Sequence, residues 1–115
     1  PETARSLALK VAEIIAHPSN LVLPHCPQAM ITRCLENRIF AITADRVGDE
    51  SRVPNKPLHF IGQSQVVDPD GNVLVRASET EEEVSIVEMD LKKAREKFLN
   101  PKNDIFKDRR PELYF

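Results

Sequence analysis

The stretch PQAMITRCLENRIFAITA, residues 27–44, changes its period halfway along. Up to Arg38, the residues Met30, Cys34 and Leu35 recur at helical spacing on one face, and Pro27 suits the first turn of that helix. From Ile39 to Ala44 the chain is β-branched and apolar, so a buried strand follows. The same succession occurs just upstream. Ala4, Leu7, Ala8 and Val11 predict a helix over 2–12, and EIIA at 13–16 reads as a short buried strand. Between the two units, Pro18, Pro24 and Pro27 predict irregular chain. Helix, strand, loop, helix, strand is an α/β order, and strands this apolar are expected to be covered on both faces.

Downstream the character changes. Residues 49–58 form a polar loop holding Pro54 and Pro57. FIGQSQVVDPDGNVLVRAS, residues 60–78, reads as a hairpin with strands over 61–67 and 72–77. Its turn, DPDG at 68–71, has proline second and glycine fourth. Residues 85–89 predict one more strand, and DLKKAREKF at 90–98 a short helix capped by Asp90. The tail after Phe98 is polar and turn-rich but closes on the apolar ELYF, which is expected to dock somewhere.

The totals exclude several classes of function. The 115 residues amount to one domain or part of one, with 16 Lys and Arg against 18 Asp and Glu. A net charge of -2 gives no electrostatic reason to expect nucleic acid or an anionic membrane as partner. No apolar run approaches the roughly 20 residues of a membrane span. Two cysteines without a secretion signal read as thiols in a reducing compartment, so the expected location is the cytoplasm.

Local chemistry is sparse. His25 lies beside Cys26, with His17 eight positions earlier, yet neighbours on extended chain point apart and zinc would want about four ligands. Cys26 precedes a predicted helix, where a thiol can be activated, whereas Cys34 reads as a small core residue. Arg33 and Glu36 can pair on one helix face, either as a surface ion pair or as a network bracing a pocket or a subunit contact. Glu79 and Glu81 to Glu83 read as a solvated turn rather than a metal site. No dinucleotide fingerprint, phosphate loop or serine-nucleophile elbow is present.

The order of segments resembles the carbon–nitrogen hydrolase family, the nitrilase superfamily. Pro1-Glu2 with TARSLALKVAEIIAHPSN resembles the stretch that follows the family's nucleophilic cysteine. RCLENRIFAITADRVG resembles its Arg-x-x-Glu-Asn helix, the next strand and an Asn-or-Asp, Arg, x, Gly turn. FIGQSQVVDPDGNVL is similar to its Gly-x-Ser strand and hairpin, and NDIFKDRRPELYF to its C-terminal arm. The flavour is that of archaeal-type nitrilases acting on small aliphatic nitriles.

The resemblance implies the C-terminal half of a nitrilase-type αββα sandwich, with residues 1–98 in the hydrolase domain and 99–115 an arm on a partner subunit. The implied reaction cleaves a small nitrile or amide through a cysteine thioester, with no metal or cofactor. Its Glu, Lys and Cys fall upstream of Pro1, so no catalytic residue is expected within the chain. Asn20, Leu21, Val22 and Leu23 would wall the substrate pocket. His17 and Pro18 would fix the exit of that loop from its strand, and Arg33, Glu36 and Asn37 would brace the site near a subunit contact. The implied partners are the missing N-terminal half and further copies of the chain; the alternative is a truncated, non-catalytic homologue. Half a sandwich also leaves sheet residues such as Ile42, Val66 and Val87 without a facing layer, so association is expected of the chain alone.

Overall fold

A computed structural model describes residues 1–114; Phe115, the last residue of the apolar end, lies outside the described residues. Helix α1 (Glu2–Leu9) leads into strand β1 (Ile14–Ser19), then α2 (His25–Asn37) and β2 (Phe40–Asp45). A two-stranded ribbon follows, β3 (Val47–Glu50) with β4 (Leu58–Ile61), and then the hairpin β5 (Gln65–Val67) and β6 (Val73–Arg76). The single turn α3 (Lys92–Arg95), the small hairpin β7 (Phe98–Asn100) and β8 (Asn103–Asp104), and a 3-10 turn at Pro111–Leu113 complete the chain.

The main sheet has the order β1-β2-β5-β6, parallel between β1 and β2 and antiparallel thereafter. Its register lines up rows across the strands. Ile15, Ala41, Val67 and Val73 form one, and His17, Thr43, Gln65 and Arg76 the next row on the same face. Helix α2 covers this face by packing Cys34, Met30 and Ile31 over Ile15, Ala41 and Val67. The polar row is satisfied beneath the helix. Gln65 Nε2 donates to Pro27 O at 2.9 Å, and Arg76 donates to Gln65 Oε1 at 2.9 Å.

The opposite face carries Ala16, Ile42, Val66 and Val75 in one row. Among the described residues no helix layer covers it; Ala16 is exposed and the other three half-buried, with Glu83 to Ser85 passing over part of it. The expected double coverage is therefore half realised, as one helical layer on one sheet.

Several sequence expectations shift. Strand β1 runs on through His17 and Pro18 to Ser19, because it is a sheet edge where a missing N–H is tolerated. On α2, Leu35 is exposed and Ile31 takes its place against the core. The polar loop contains a ribbon, with Asp49 opposite His59 and Arg46 stacked 4.3 Å from the Phe60 ring. Residues 85–89 form no strand: the segment pairs with no neighbour, and Val84 and Ile86 are almost fully exposed. The expected nine-residue helix shrinks to α3, where Asp90 Oδ1 still accepts from Lys92 N at 3.0 Å.

The hairpin turn holds as read. Asp68 accepts from Asp70 N, Asn72 N and Asn72 Nδ2 at 2.8–3.1 Å. Burial alone would raise its pKa; these donors outweigh it and leave the carboxyl below its ordinary range. Cys34 behaves oppositely: burial, and then the Asp68 carboxylate, push its thiol up to about 12. Above pH 9 an unfolded Cys34 ionises while the folded one keeps its proton, so the unfolded state binds fewer protons and stability falls between pH 9 and 12. The slope is at most about 1.4 kcal/mol per pH unit. Urea unfolding of the full-length protein at pH 8 and 10.5 should show wild type losing about 2 kcal/mol more than Cys34→Ala. Lys97, whose pKa burial and Arg38 lower, works in the other direction but is common to both proteins and cancels in the difference. Equal losses would remove Cys34 from the account.

Candidate functional site

The loop expected to wall a pocket, Asn20 to Leu23, leaves the end of β1 and enters α2 through Pro24. Pro24 and Pro27 confine the first turn of α2, so the loop is held at both ends. Asn20, Val22 and Leu23 are exposed and Leu21 is half-buried. Leu21 is tied at both backbone groups: its N–H donates to Asp45 Oδ1 at 2.8 Å, and its carbonyl accepts from Ile61 N at 3.0 Å. The ribbon thereby sits beside the loop, an arrangement with no counterpart in the sequence reading.

His17 and Pro18 lie inside β1 rather than in the loop. His17 Nδ1 is 3.2 Å from Thr43 Oγ1, and Ser19 Oγ is 3.2 Å from the same nitrogen, so the ring is fixed just below the loop. Pro18 pairs in register with Ala44. The structure does not bring His25 to Cys26 as a pair. Both lie in the first turn of α2, where His25 is exposed and Cys26 half-buried. Cys26 instead shares a cavity of about 370 Å³ with His17, Leu7, Ile15, Met30 and Arg33.

The Arg33, Glu36 and Asn37 group is a connected brace at the end of α2. Arg33 pairs with Glu36, both partly buried, and the Glu36 carbonyl accepts from Arg5 of α1 at 3.0 Å. Asn37 is fully buried; its Nδ2 donates to Arg33 O at 2.8 Å, while its Oδ1 meets no donor among the described residues. Lys97 Nζ donates to the carbonyls of Asn37 and Arg38 at 3.0 and 2.7 Å, placing a cation on the helix C-terminus. Phe106 of the tail lies 5.2 Å from both Arg5 and Lys97, so this part of the tail rests on its own chain.

Sequence reasoning placed Asp45 only as the first residue of the Asp-Arg-x-Gly turn and gave it no role at the site. A carboxylate closing an apolar strand was the available signal, and only the fold shows that it reaches Leu21. A cleft of about 440 Å³ opens beside it, between Ser64 and Glu81 to Glu83. Among the described residues no group of three or more His, Cys, Asp or Glu is placed to hold a metal, and no helix is long and apolar enough to cross a membrane.

Comparison with known proteins adds to this geometry. The family model for carbon–nitrogen hydrolases matches residues 1–97. A protein named nitrilase from Pyrococcus abyssi is 56% identical over 115 residues, which is 100% of this chain and 42% of that protein. The chain thus spans about two-fifths of that relative. The crystal structure of a carbon–nitrogen hydrolase from Helicobacter pylori G27 superposes with a TM-score of 0.78 at 29% identity, covering 99% of this chain and 43% of that one. The amidase from Nesterenkonia sp. AN1, in a mutant form carrying the acetamide moiety of fluoroacetamide at its active-site cysteine, gives a TM-score of 0.60 at 28% identity. That match covers 70% of this chain and 30% of the amidase.

Proposed function

The chain belongs to the carbon–nitrogen hydrolase family, and from that premise we propose that it is the C-terminal part of a nitrilase- or amidase-type enzyme acting on a small aliphatic nitrile or amide. A cysteine upstream of Pro1 attacks the carbon. From an amide, ammonia then leaves directly; from a nitrile, it leaves after one water has added to the thioimidate. A further water releases the acid from the thioester. A Glu and a Lys, also upstream, act as base and as cation for the developing charge. This chain supplies the rest of the site: the wall Asn20 to Leu23, seated on His17 and Pro18, with Arg33, Glu36 and Asn37 bracing the far end of the helix that the wall leads into. The working enzyme is a cytoplasmic oligomer in which residues 99–115 reach a partner subunit, and the reaction needs no cofactor.

The observation that carries this reading is the 56% identity to the Pyrococcus abyssi nitrilase across all 115 residues. The Nesterenkonia amidase, whose active-site cysteine takes up the acetamide moiety of fluoroacetamide, supports a nucleophilic cysteine. The test is ammonia release from short nitriles and amides by the full-length protein. Replacing the upstream cysteine by Ala should abolish release, and Cys26→Ser should leave it within about twofold, since a half-buried thiol in a neighbouring cavity takes no part. No release by wild type, or loss in Cys26→Ser, refutes the proposal.

A further inference from the structure

Asp45 ends β2 where three segments meet: the Asn20–Leu23 loop, the ribbon and the start of the hairpin. Its backbone N–H donates to Ser64 Oγ at 2.8 Å, and the Ser64 hydroxyl reaches Asp45 O at 3.2 Å. With its backbone so held, the short side chain has little freedom, and Oδ1 accepts from Leu21 N. This is the one side-chain hydrogen bond to the loop among the described residues. Its acceptor is a carboxylate, a stronger partner for a backbone N–H than a neutral oxygen. The second oxygen, Oδ2, is buried and meets no donor among the described residues. A hydroxyl or a methyl at this position would not reach Leu21, whereas an amide oxygen would.

We propose that Asp45 is a positioning residue that sets substrate-size selectivity by fixing Leu21, and with it the apolar edge formed by Val22 and Leu23. The inference rests on the reading of Asn20 to Leu23 as the pocket wall. Between its two ends the loop is tied, among the described residues, only at Leu21. With that N–H released a single bond remains, from Ile61 N to the Leu21 carbonyl, so the wall is held at one point instead of two and moves more easily away from the substrate. Short substrates, which depend on a close wall, then bind less well, and longer ones lose their disadvantage.

The test uses the full-length enzyme and four probes: acetonitrile, hexanenitrile and the corresponding amides. In Asp45→Ala the Leu21 amide should exchange hydrogen at least about tenfold faster, as expected when one charge-assisted hydrogen bond is lost. KM for the short probe should rise by a similar factor with kcat within about threefold, and the short-to-long selectivity ratio should collapse. Asp45→Asn keeps an acceptor and should preserve both the slow exchange and the ratio, even though its new buried NH2 group lowers thermal stability. If Asp45→Ala does not fold, Asp45→Ser provides the same comparison.

A merely structural role would lower stability in every variant and leave the ratio unmoved, which overturns the proposal. Unchanged Leu21 exchange in Asp45→Ala overturns it whatever the kinetics. If the wild-type enzyme hydrolyses none of the four probes, the hydrolase reading and the selectivity claim fall together, while exchange still decides whether Asp45 holds the loop.

Discussion

Purified as the 115-residue chain, the protein is expected to associate in a concentration-dependent way, and Val66→Glu is expected to return it to monomer. The physical case begins with shape. A compact chain of this length has a radius of gyration of about 13 Å, whereas this one has 16.5 Å, with extents of 54 × 37 × 18 Å. Its accessible surface is 8073 Å², against about 6300 Å² for a compact monomer of 13.0 kDa. Much of the excess follows from a slab one helix layer and one sheet thick. On its bare side lie Ala16, Ile42, Val66 and Val75 in one register row, with the exposed Val84 beside it. Contiguous apolar surface of this kind drives contact with anything that can cover it.

Val66 sits in the middle of that row, so a carboxylate there makes the face repel its own copy. Sedimentation velocity between about 1 and 100 μM, chosen to span typical dimer affinities, reads the change. Lys56→Glu, on an exposed loop far from the row in sequence, should leave association as it was. In the full-length protein the sign reverses. If the rest of the polypeptide covers this face, Val66→Glu buries an unpaired charge and should abolish soluble expression. A monomeric wild-type chain at the highest concentration would show that the bare face needs no cover.

How much of this was legible in the sequence depends on what holds each element. The α2–β2 unit was readable because Cys34, Met30 and the 39–44 run bury apolar side chains, and burial leaves a period. The ribbon was not readable. Its strands carry Asp49, Glu50 and His59, with Arg46 just ahead of them, and it is held by backbone pairing, by the Arg46–Glu50 ion pair and by a cation over Phe60. None of these leaves an apolar alternation. Residues 85–89 failed in the opposite way: the β-branched content was present, but strand propensity expresses itself only against a partner, and none is paired with it.

The site divides along the same line. His17, Pro18 and the Arg33–Glu36–Asn37 brace could be named in advance because they fall in segments that resemble a family. Asp45 falls in such a segment too, as the first residue of the Asp-Arg-x-Gly turn. Its bond to Leu21 could not be read, since it depends on β2 ending beside a loop that starts from β1, and that adjacency is a product of parallel pairing. Arg38 could be grouped with Arg33, Glu36 and Asn37 from the sequence, but not its conformation: it is a left-handed residue (φ 50) at the end of α2, where glycine is usual, held by its side chain to Pro69 O and Glu96 O.

Gly62→Ala is expected to cost the full-length protein about 3 kcal/mol or more, a large fraction of typical domain stability. Gly62 has φ +59, where an alanine costs about 1–2 kcal/mol on its own. The larger part is steric. A Cβ at Gly62 would stand 2.7 Å from Glu79 O, 2.8 Å from Ser78 O and 2.9 Å from Val47 Cγ1, and two of these three are backbone atoms that cannot swing aside. They are fixed by the crossing itself, since Gln63 N donates to Ser78 O and Ala77 N to Ser64 O. Gly48 provides the control: it too has a positive φ, +85, but its added Cβ would meet nothing within 4 Å. Gly48→Ala should therefore show the conformational cost alone, and the difference between the two variants in urea unfolding measures the crossing. Equal costs would mean that the contact with Ser78 and Glu79 relaxes freely. The consequence for the site follows from the neighbouring bonds, because Gly62 N donates to Arg46 O and Ile61 N to Leu21 O. Any shift that relieves the clash pulls on the same loop that Asp45 holds, so surviving Gly62→Ala enzyme should bind its short substrates more weakly than the Gly48→Ala control.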